Sequence, residues 1–303
     1  MALDDVVERV ATLGPDATIV VLAGPGVAAA GRKGVEGLRA LAERGGLGVI
    51  NTWGLKGIFE WQSPHHLGTI GLQERDFELA GLGDADLILA TGLDTHEAPP
   101  DRWQLAPHAW VAPRQLAELA ERWPLPPGHP VRPPLYERLA EVVGPLYEST
   151  KVPLSPARAL ADIKAVLPEG GVVYADPGLA GLWVARAFPT SVLGSVHVPA
   201  VEEPGYAAWK AVHAATTFGR AIVAVTRDPW DLSTDDALAY AATAGVRFVL
   251  CTWGVGSLGS ADDHKARLAD ALADDHVRVL EVPIDWSDTD LLHDVAGDVI
   301  AWT

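Results

Sequence analysis

Short apolar runs rich in β-branched residues alternate along the whole chain with amphipathic stretches of about ten to fifteen residues, the pattern of parallel βαβ units. The clearest case runs from Ala221 to Gly254. The spacing predicts a buried strand over 221–225, a turn Thr226-Arg227-Asp228-Pro229-Trp230, a helix over about 234–244 and a second strand over 246–250 that ends in Cys251-Thr252-Trp253-Gly254. Two parallel strand ends then face one crevice, where ligands of open α/β sheets sit because strand carboxyl ends and helix amino ends meet there. Asp228 at the first end, and the Thr252 hydroxyl with Gly254 at the second, are oxygen and backbone groups that could hold a divalent cation and a diphosphate. The plainer reading of Asp228 is a turn aspartate bonding its own backbone ahead of a helix.

The same alternation opens the chain, with a helix over 3–13 and a strand over 17–22. Gly24-Pro25-Gly26-Val27-Ala28-Ala29 follows and formally fits a G-x-G-x-x-A dinucleotide turn. Pro25 interrupts it, and the next strand, over 48–51, ends in Asn51-Thr52 where a ribose-binding acid would be wanted. A tight turn feeding a closely packed helix is the alternative. His65 and His66 read as turn residues before a strand, and His96 beside Glu97 follows another strand end on the side of the glycine turn. Six prolines among residues 123–134 exclude helix and inner strand and mark a semi-rigid spacer. The expected division is a first α/β domain over 1–122, a proline-rich linker and helix over 123–154, and a second α/β domain over 155–303. Both are expected to be doubly wound, mainly parallel, three-layer domains.

In the second domain, Ser155 and Pro156 suit the N-cap and first turn of a helix. A strand over 171–175 runs into Asp176-Pro177-Gly178, a further strand is expected over 192–198, and Glu202-Glu203-Pro204-Gly205 opens a helix at Tyr206. Behind Gly254 a glycine-serine loop leads to a helix over 262–272 and a strand over 277–282.

Composition excludes several classes of function. Forty acidic against 23 basic residues give a formal charge of -17, which disfavours nucleic acid and anionic membranes. The single cysteine, Cys251, permits no internal disulfide and no CxxC metal site; a core thiol is its default role. No apolar run is long enough to span a membrane, and the acidic start Met1-Ala2-Leu3-Asp4-Asp5 lacks a signal peptide's regions, so the expected setting is cytoplasmic. Hydrolase elbows, P-loops, EF-hands and H-E-x-x-H are absent from the sequence. Eleven tryptophans are many for this length, and Trp230, Trp253 and Trp286 would crowd one rim as cover for a closed site or as a subunit interface.

Several segments together resemble thiamine-diphosphate enzymes of the acetolactate synthase type. Ile50-Asn51-Thr52-Trp53-Gly54-Leu55-Lys56-Gly57, Pro64-His65-His66-Leu67-Gly68-Thr69-Ile70-Gly71 and Asp84-Ala85-Asp86-Leu87-Ile88-Leu89-Ala90-Thr91-Gly92 are similar to that family's central domain. Tyr174-Ala175-Asp176-Pro177-Gly178, Gly205-Tyr206, and the Asp228 and Thr252-Trp253-Gly254 pair are similar to its diphosphate-binding domain. In the family, Gly-Asp-Gly and Asn-Asn-x-Gly at the two strand ends hold Mg²⁺ and the cofactor diphosphate. The resemblance therefore implies cofactor contacts at Asp176, Gly178, Gly205, Arg227, Asp228 and Gly254, with Asp228 and Thr252 as metal ligands. It assigns no catalytic residue in this chain.

The departures from the pattern are physical. Arg227 and Pro229 stand where the family has glycines, so backbone approach to a phosphate is hindered, and Thr252 replaces the ligand asparagine. Asn51 is the chain's only asparagine. The family's segment folding over the cofactor is expected to be shortened here, and its pyrimidine domain, which carries the activating glutamate, is expected to have no counterpart. The expectation is a truncated, degenerate homologue that does not bind the cofactor alone and is non-catalytic, as a scaffold or regulator, or remodelled. A second reading makes it the diphosphate-domain subunit of a split Mg²⁺- and thiamine-diphosphate-dependent decarboxylase or carboligase, a lyase or transferase acting on 2-oxo acids, with the pyrimidine domain on a separate subunit. A third makes it a binder of FAD, ADP or another adenine nucleotide. The resemblance also implies a homo-oligomer.

Overall fold

The computed structural model describes residues 2–190, 192–228 and 230–302. Pro229, which sequence reasoning placed in the turn after Asp228, lies outside the described residues, as does Ser191. The chain divides into two compact units, one running to Arg138 and including Val295–Ala301, the other Leu139–Asp294 with Trp302.

In the first unit, β1 (Ile19–Ala23), β2 (Gly48–Thr52), β3 (His66–Ile70), β4 (Leu87–Thr91) and β5 (His108–Trp110) form a sheet of order β3-β2-β1-β4-β5, every pairing parallel. The strands β1, β2 and β4 are buried at every position, as expected of inner strands covered on both faces. In the second unit, β6 (Val172–Ala175), β7 (Val196–His197), β8 (Ile222–Thr226), β9 (Val249–Trp253) and β10 (Arg278–Val282) form a second parallel sheet, order β10-β9-β8-β6-β7. Each unit is thus a doubly wound α/β fold. The two windings differ, however: the strand order reverses between β1 and β4 in the first unit and between β6 and β8 in the second.

Local chemistry explains where elements stop. The strand expected over 192–198 shrinks to two residues because side chains compete for its backbone: the Thr190 hydroxyl accepts from the Val192 N–H, and the Ser195 hydroxyl donates to the Val192 carbonyl. The helix Pro134–Val143 ends where Pro145 lacks a donor, and the chain continues as a 3₁₀ turn over Gly144–Glu148. The helix Pro156–Val166 begins at Ser155 with proline in its first turn, although the Ser155 hydroxyl makes no cap bond. One face of the second sheet is covered by the helices Tyr206–Phe218 and Leu232–Ala244 through a layer of alanines, in which Ala207, Ala208, Ala211, Ala214, Ala237 and Ala241 lie against Ile222, Ala224 and Leu250. Among the described residues no helix is long and apolar enough to cross a membrane.

Candidate functional site

The strand-order reversal of the second unit puts Asp176, at the end of β6, beside Thr226-Arg227-Asp228 at the end of β8. The Asp176 carboxylate accepts a 2.7 Å hydrogen bond from the Ala207 N–H, in the first turn of the helix Tyr206–Phe218, and a second bond from the Thr226 hydroxyl. Burial pushes the Asp176 carboxyl up, and the neighbouring Asp231 and Asp228 add to the effect against those two donors. Asp231 is the N-cap of the helix Leu232–Ala244 and accepts from the Ser233 and Thr234 N–H groups. Two of the helix amino ends at this crevice are therefore already served by carboxylates of the chain itself.

Each of the two expected metal ligands has a hydrogen bond of its own within the chain. Asp228 is exposed, and its Oδ1 accepts from the Trp230 N–H at 2.9 Å, which is the local turn geometry. The strand β9 runs over Val249–Trp253 rather than 246–250, so Thr252 is its penultimate residue, 4% exposed, paired with Thr226 at the end of β8, and its hydroxyl donates to the Leu280 carbonyl of β10. Among the described residues no group of three or more His, Cys, Asp or Glu side chains could hold a metal ion.

Beyond β9, Gly254 has φ +93, a conformation that favours glycine, and a Cβ there would meet the Trp286 indole nitrogen at 2.7 Å. Trp286 is seated by Asp285, which caps the 3₁₀ turn Trp286–Asp288. The Arg227 guanidinium lies over the Trp286 ring, 5.1 Å from its centre. Arg227, Trp286 and Gly254 thus form one stack along the crevice. Gly178 (φ +83) opens the helix Leu179–Ala187 and faces open space, while Gly205 (φ +66) presses on Ser233 in front of the helix Tyr206–Phe218. Asp176, Gly205 and Asp228 therefore gather around β6 and β8, Arg227 and Gly254 are linked through Trp286, and Thr252 lies buried in the row of Thr226. Sequence reasoning overlooked Thr226 and Asp231; the latter is signalled by an Asp two residues before Ser233-Thr234 in the N-cap pattern.

In the first unit the glycine turn serves packing. The Gly26 N–H donates to the Gly92 carbonyl at 2.8 Å, the Gly24 N–H donates to the Thr91 carbonyl, and Cβ atoms at 24 or 26 would collide with Gly92. The reversal point between β1 and β4 is filled by backbone from these two loops. Beside it Glu97, 3% exposed, accepts from the Thr52 hydroxyl and, at 3.0 Å, from the Gly54 N–H. Burial pushes the Glu97 carboxyl up to about 7, with the two bonds opposing and Asp94 adding to the rise. His66 is driven down to about 3 by burial, with Lys56 and Arg132 contributing, so its imidazole is neutral. His65 bonds the Leu47 carbonyl and the exposed His96 pairs with Asp94. Cys251 is fully buried and its thiol is pushed up to about 12, the state of a core thiol.

Residues 10–111, about a third of the chain, match the family model described as thiamine pyrophosphate enzyme, central domain. No curated protein matches the sequence. Among solved structures, an enzyme from Mycobacterium smegmatis assigned as thiamin diphosphate-dependent superposes with a TM-score of 0.70 at 19% identity, over 93% of this chain and 63% of its own. The thiamine diphosphate-dependent 4-hydroxybenzoylformate decarboxylase of Rhodococcus jostii RHA1 gives 0.66 at 19% identity, over 94% and 64%. The chain spans under two thirds of the length of either, and at that identity the likeness is one of fold. The first unit is thus similar in sequence to the central domain of thiamine pyrophosphate enzymes, and both units share the fold of these two enzymes.

Proposed function

We propose that this chain is a remodelled, non-catalytic homologue of thiamine-diphosphate enzymes that does not take up thiamine diphosphate and Mg²⁺ by itself, and that it works in the cytoplasm as a scaffold or regulator of a partner. One observation carries the reading: the Trp286 indole and the Arg227 guanidinium occupy the flank of Gly254, where a diphosphate and its cation need bare backbone. The withdrawn Thr252 hydroxyl and the locally satisfied Asp228 support it. Titration calorimetry of the chain with thiamine diphosphate and Mg²⁺ is expected to give no binding, and a micromolar dissociation constant would overturn the proposal.

A second reading, a subunit of a split 2-oxo acid decarboxylase or carboligase, is favoured by a different observation. Trp230 and Leu232 are 84% and 78% exposed, and on the adjoining helices the exposed Trp209 and Tyr240 rings lie 6.0 Å apart. Large apolar side chains in such company are what a face covered by another polypeptide would present, which supports this reading. Affinity purification of the chain from its own cells tests this reading: a co-purifying pyrimidine-domain chain that confers thiamine-diphosphate binding on the complex supports it, and recovery of the chain alone or with copies of itself removes it.

A further inference from the structure

Register places one row of side chains across the first sheet: Thr69 on β3 pairs with Asn51 on β2, Asn51 with Ala23 on β1, and Ala23 with Thr91 on β4. Partners in one row of a parallel sheet share a face, and the 3.2 Å hydrogen bond from the Asn51 amide to the Thr69 hydroxyl bears this out. Asn51 and Thr91 are both 0% exposed. The Asn51 Oδ1 and the Thr91 hydroxyl make no hydrogen bond within the protein. Between them in the row stands Ala23, whose side chain is a single methyl group and offers neither atom a partner.

A buried polar atom without a partner costs about 1–3 kcal/mol, and two in one row cost correspondingly more. Strand spacing of about 4.8 Å puts the two backbones roughly 10 Å apart, too far for the short side chains to meet and suitable for a bridging molecule. We propose that a single internal water molecule is a fixed part of this unit, donating to Asn51 Oδ1 and bonded to the Thr91 hydroxyl above Ala23. Its polar surroundings are those in which buried waters occur, with otherwise unsatisfied groups as partners. The Asn51 amide is itself held by the Thr52 carbonyl, to which it donates at 2.9 Å, so its oxygen is fixed in place. The loops carrying Gly24 and Gly92 follow Ala23 and Thr91 directly, which places the water under the reversal point of the strand order.

A high-resolution crystal structure of the chain is expected to show an ordered solvent peak at hydrogen-bond distance from both atoms. A Thr91 hydroxyl turned to a backbone carbonyl, with no solvent in the row, would overturn the proposal. Two variants give an independent reading by urea unfolding. Ala23→Ser supplies a hydroxyl where the water lies and should leave the unfolding constant within about threefold of the parent, whereas Ala23→Val displaces the water, strands both polar atoms and should raise that constant about tenfold or more. Equal stability of Ala23→Val and the parent, or a loss confined to Ala23→Ser, would contradict the bridging role.

Discussion

The Thr52 hydroxyl donates to the Glu97 carboxyl, joining residues 45 positions apart in a pocket that leaves Glu97 3% exposed. Thr52 ends β2 and Glu97 lies beyond β4, so the bond ties two neighbouring loops at the carboxyl edge of the first sheet. Gly54 completes the pocket: its N–H donates to the same oxygen, and a side chain there would strike the carboxyl.

Glu97 gives the first unit a pH-dependent stability. Its folded value of about 7 lies above the unfolded value of 4.5, so the folded state holds the proton more tightly. The contribution is complete below pH 4.5 and is lost as pH rises through 7, amounting to about 3 kcal/mol across that window. Urea unfolding of Glu97→Gln should therefore show a flatter pH profile than the parent and greater stability at pH 8. A parent profile as flat as the variant's would contradict the assignment.

A buried ionic cluster should dominate the stability of the second unit. Asp162, 4% exposed, accepts from the Arg158 Nε at 3.0 Å and faces His264 Nδ1 at 2.9 Å, while Arg158 also reaches Asp262. Asp162→Ala strands a buried guanidinium and should cost about 3–5 kcal/mol by denaturant unfolding. Asp262→Ala removes the exposed partner and should cost under about 1 kcal/mol.

The stack over Gly254 should be a modest structural element. Arg227→Ala removes one cation–π contact at an exposed site and should cost about 0.5–1 kcal/mol. Trp286 fluorescence should change with it, since the cation leaves the ring face. An unchanged emission spectrum would mean that Arg227 does not rest there in solution.

Cys251 should be silent in the native protein. With its thiol pushed up to about 12, roughly one molecule in ten thousand carries the thiolate at pH 8, and the side chain is fully buried. An aromatic disulfide reagent should react only after denaturant is added, at the rate of unfolding. Prompt stoichiometric reaction would show the strand end to be open.

The fold was legible because βαβ periodicity is local: alternating apolar runs and helical stretches name the layers whatever the tertiary context. The site was less so, for two reasons. The span of β9 is displaced by three residues from the expected one, and the burial of Thr252 with its bond to the Leu280 carbonyl depends on the pairing with β10, which is 28 residues away in sequence. The second reason is that the reversal point depends on which strands pair. Nothing near Asp176 in sequence says that its neighbour is β8 rather than β7 alone, and Thr226 therefore escaped notice. Glu97 was invisible as a functional group for the same cause, since its properties come from burial by residues around 54 and 71, far from it in the chain.

The alanine layer under the helices Tyr206–Phe218 and Leu232–Ala244 makes the direction of tolerated change lopsided. Apart from glycine, every replacement of an alanine enlarges it, and forced extra bulk in a filled interior costs about 1–3 kcal/mol. Random drift in these two helices can therefore only widen the gap between helix and sheet, so this wall of the second unit is held to small side chains by steric ratchet, whether or not any ligand is ever bound on the strand ends beside it.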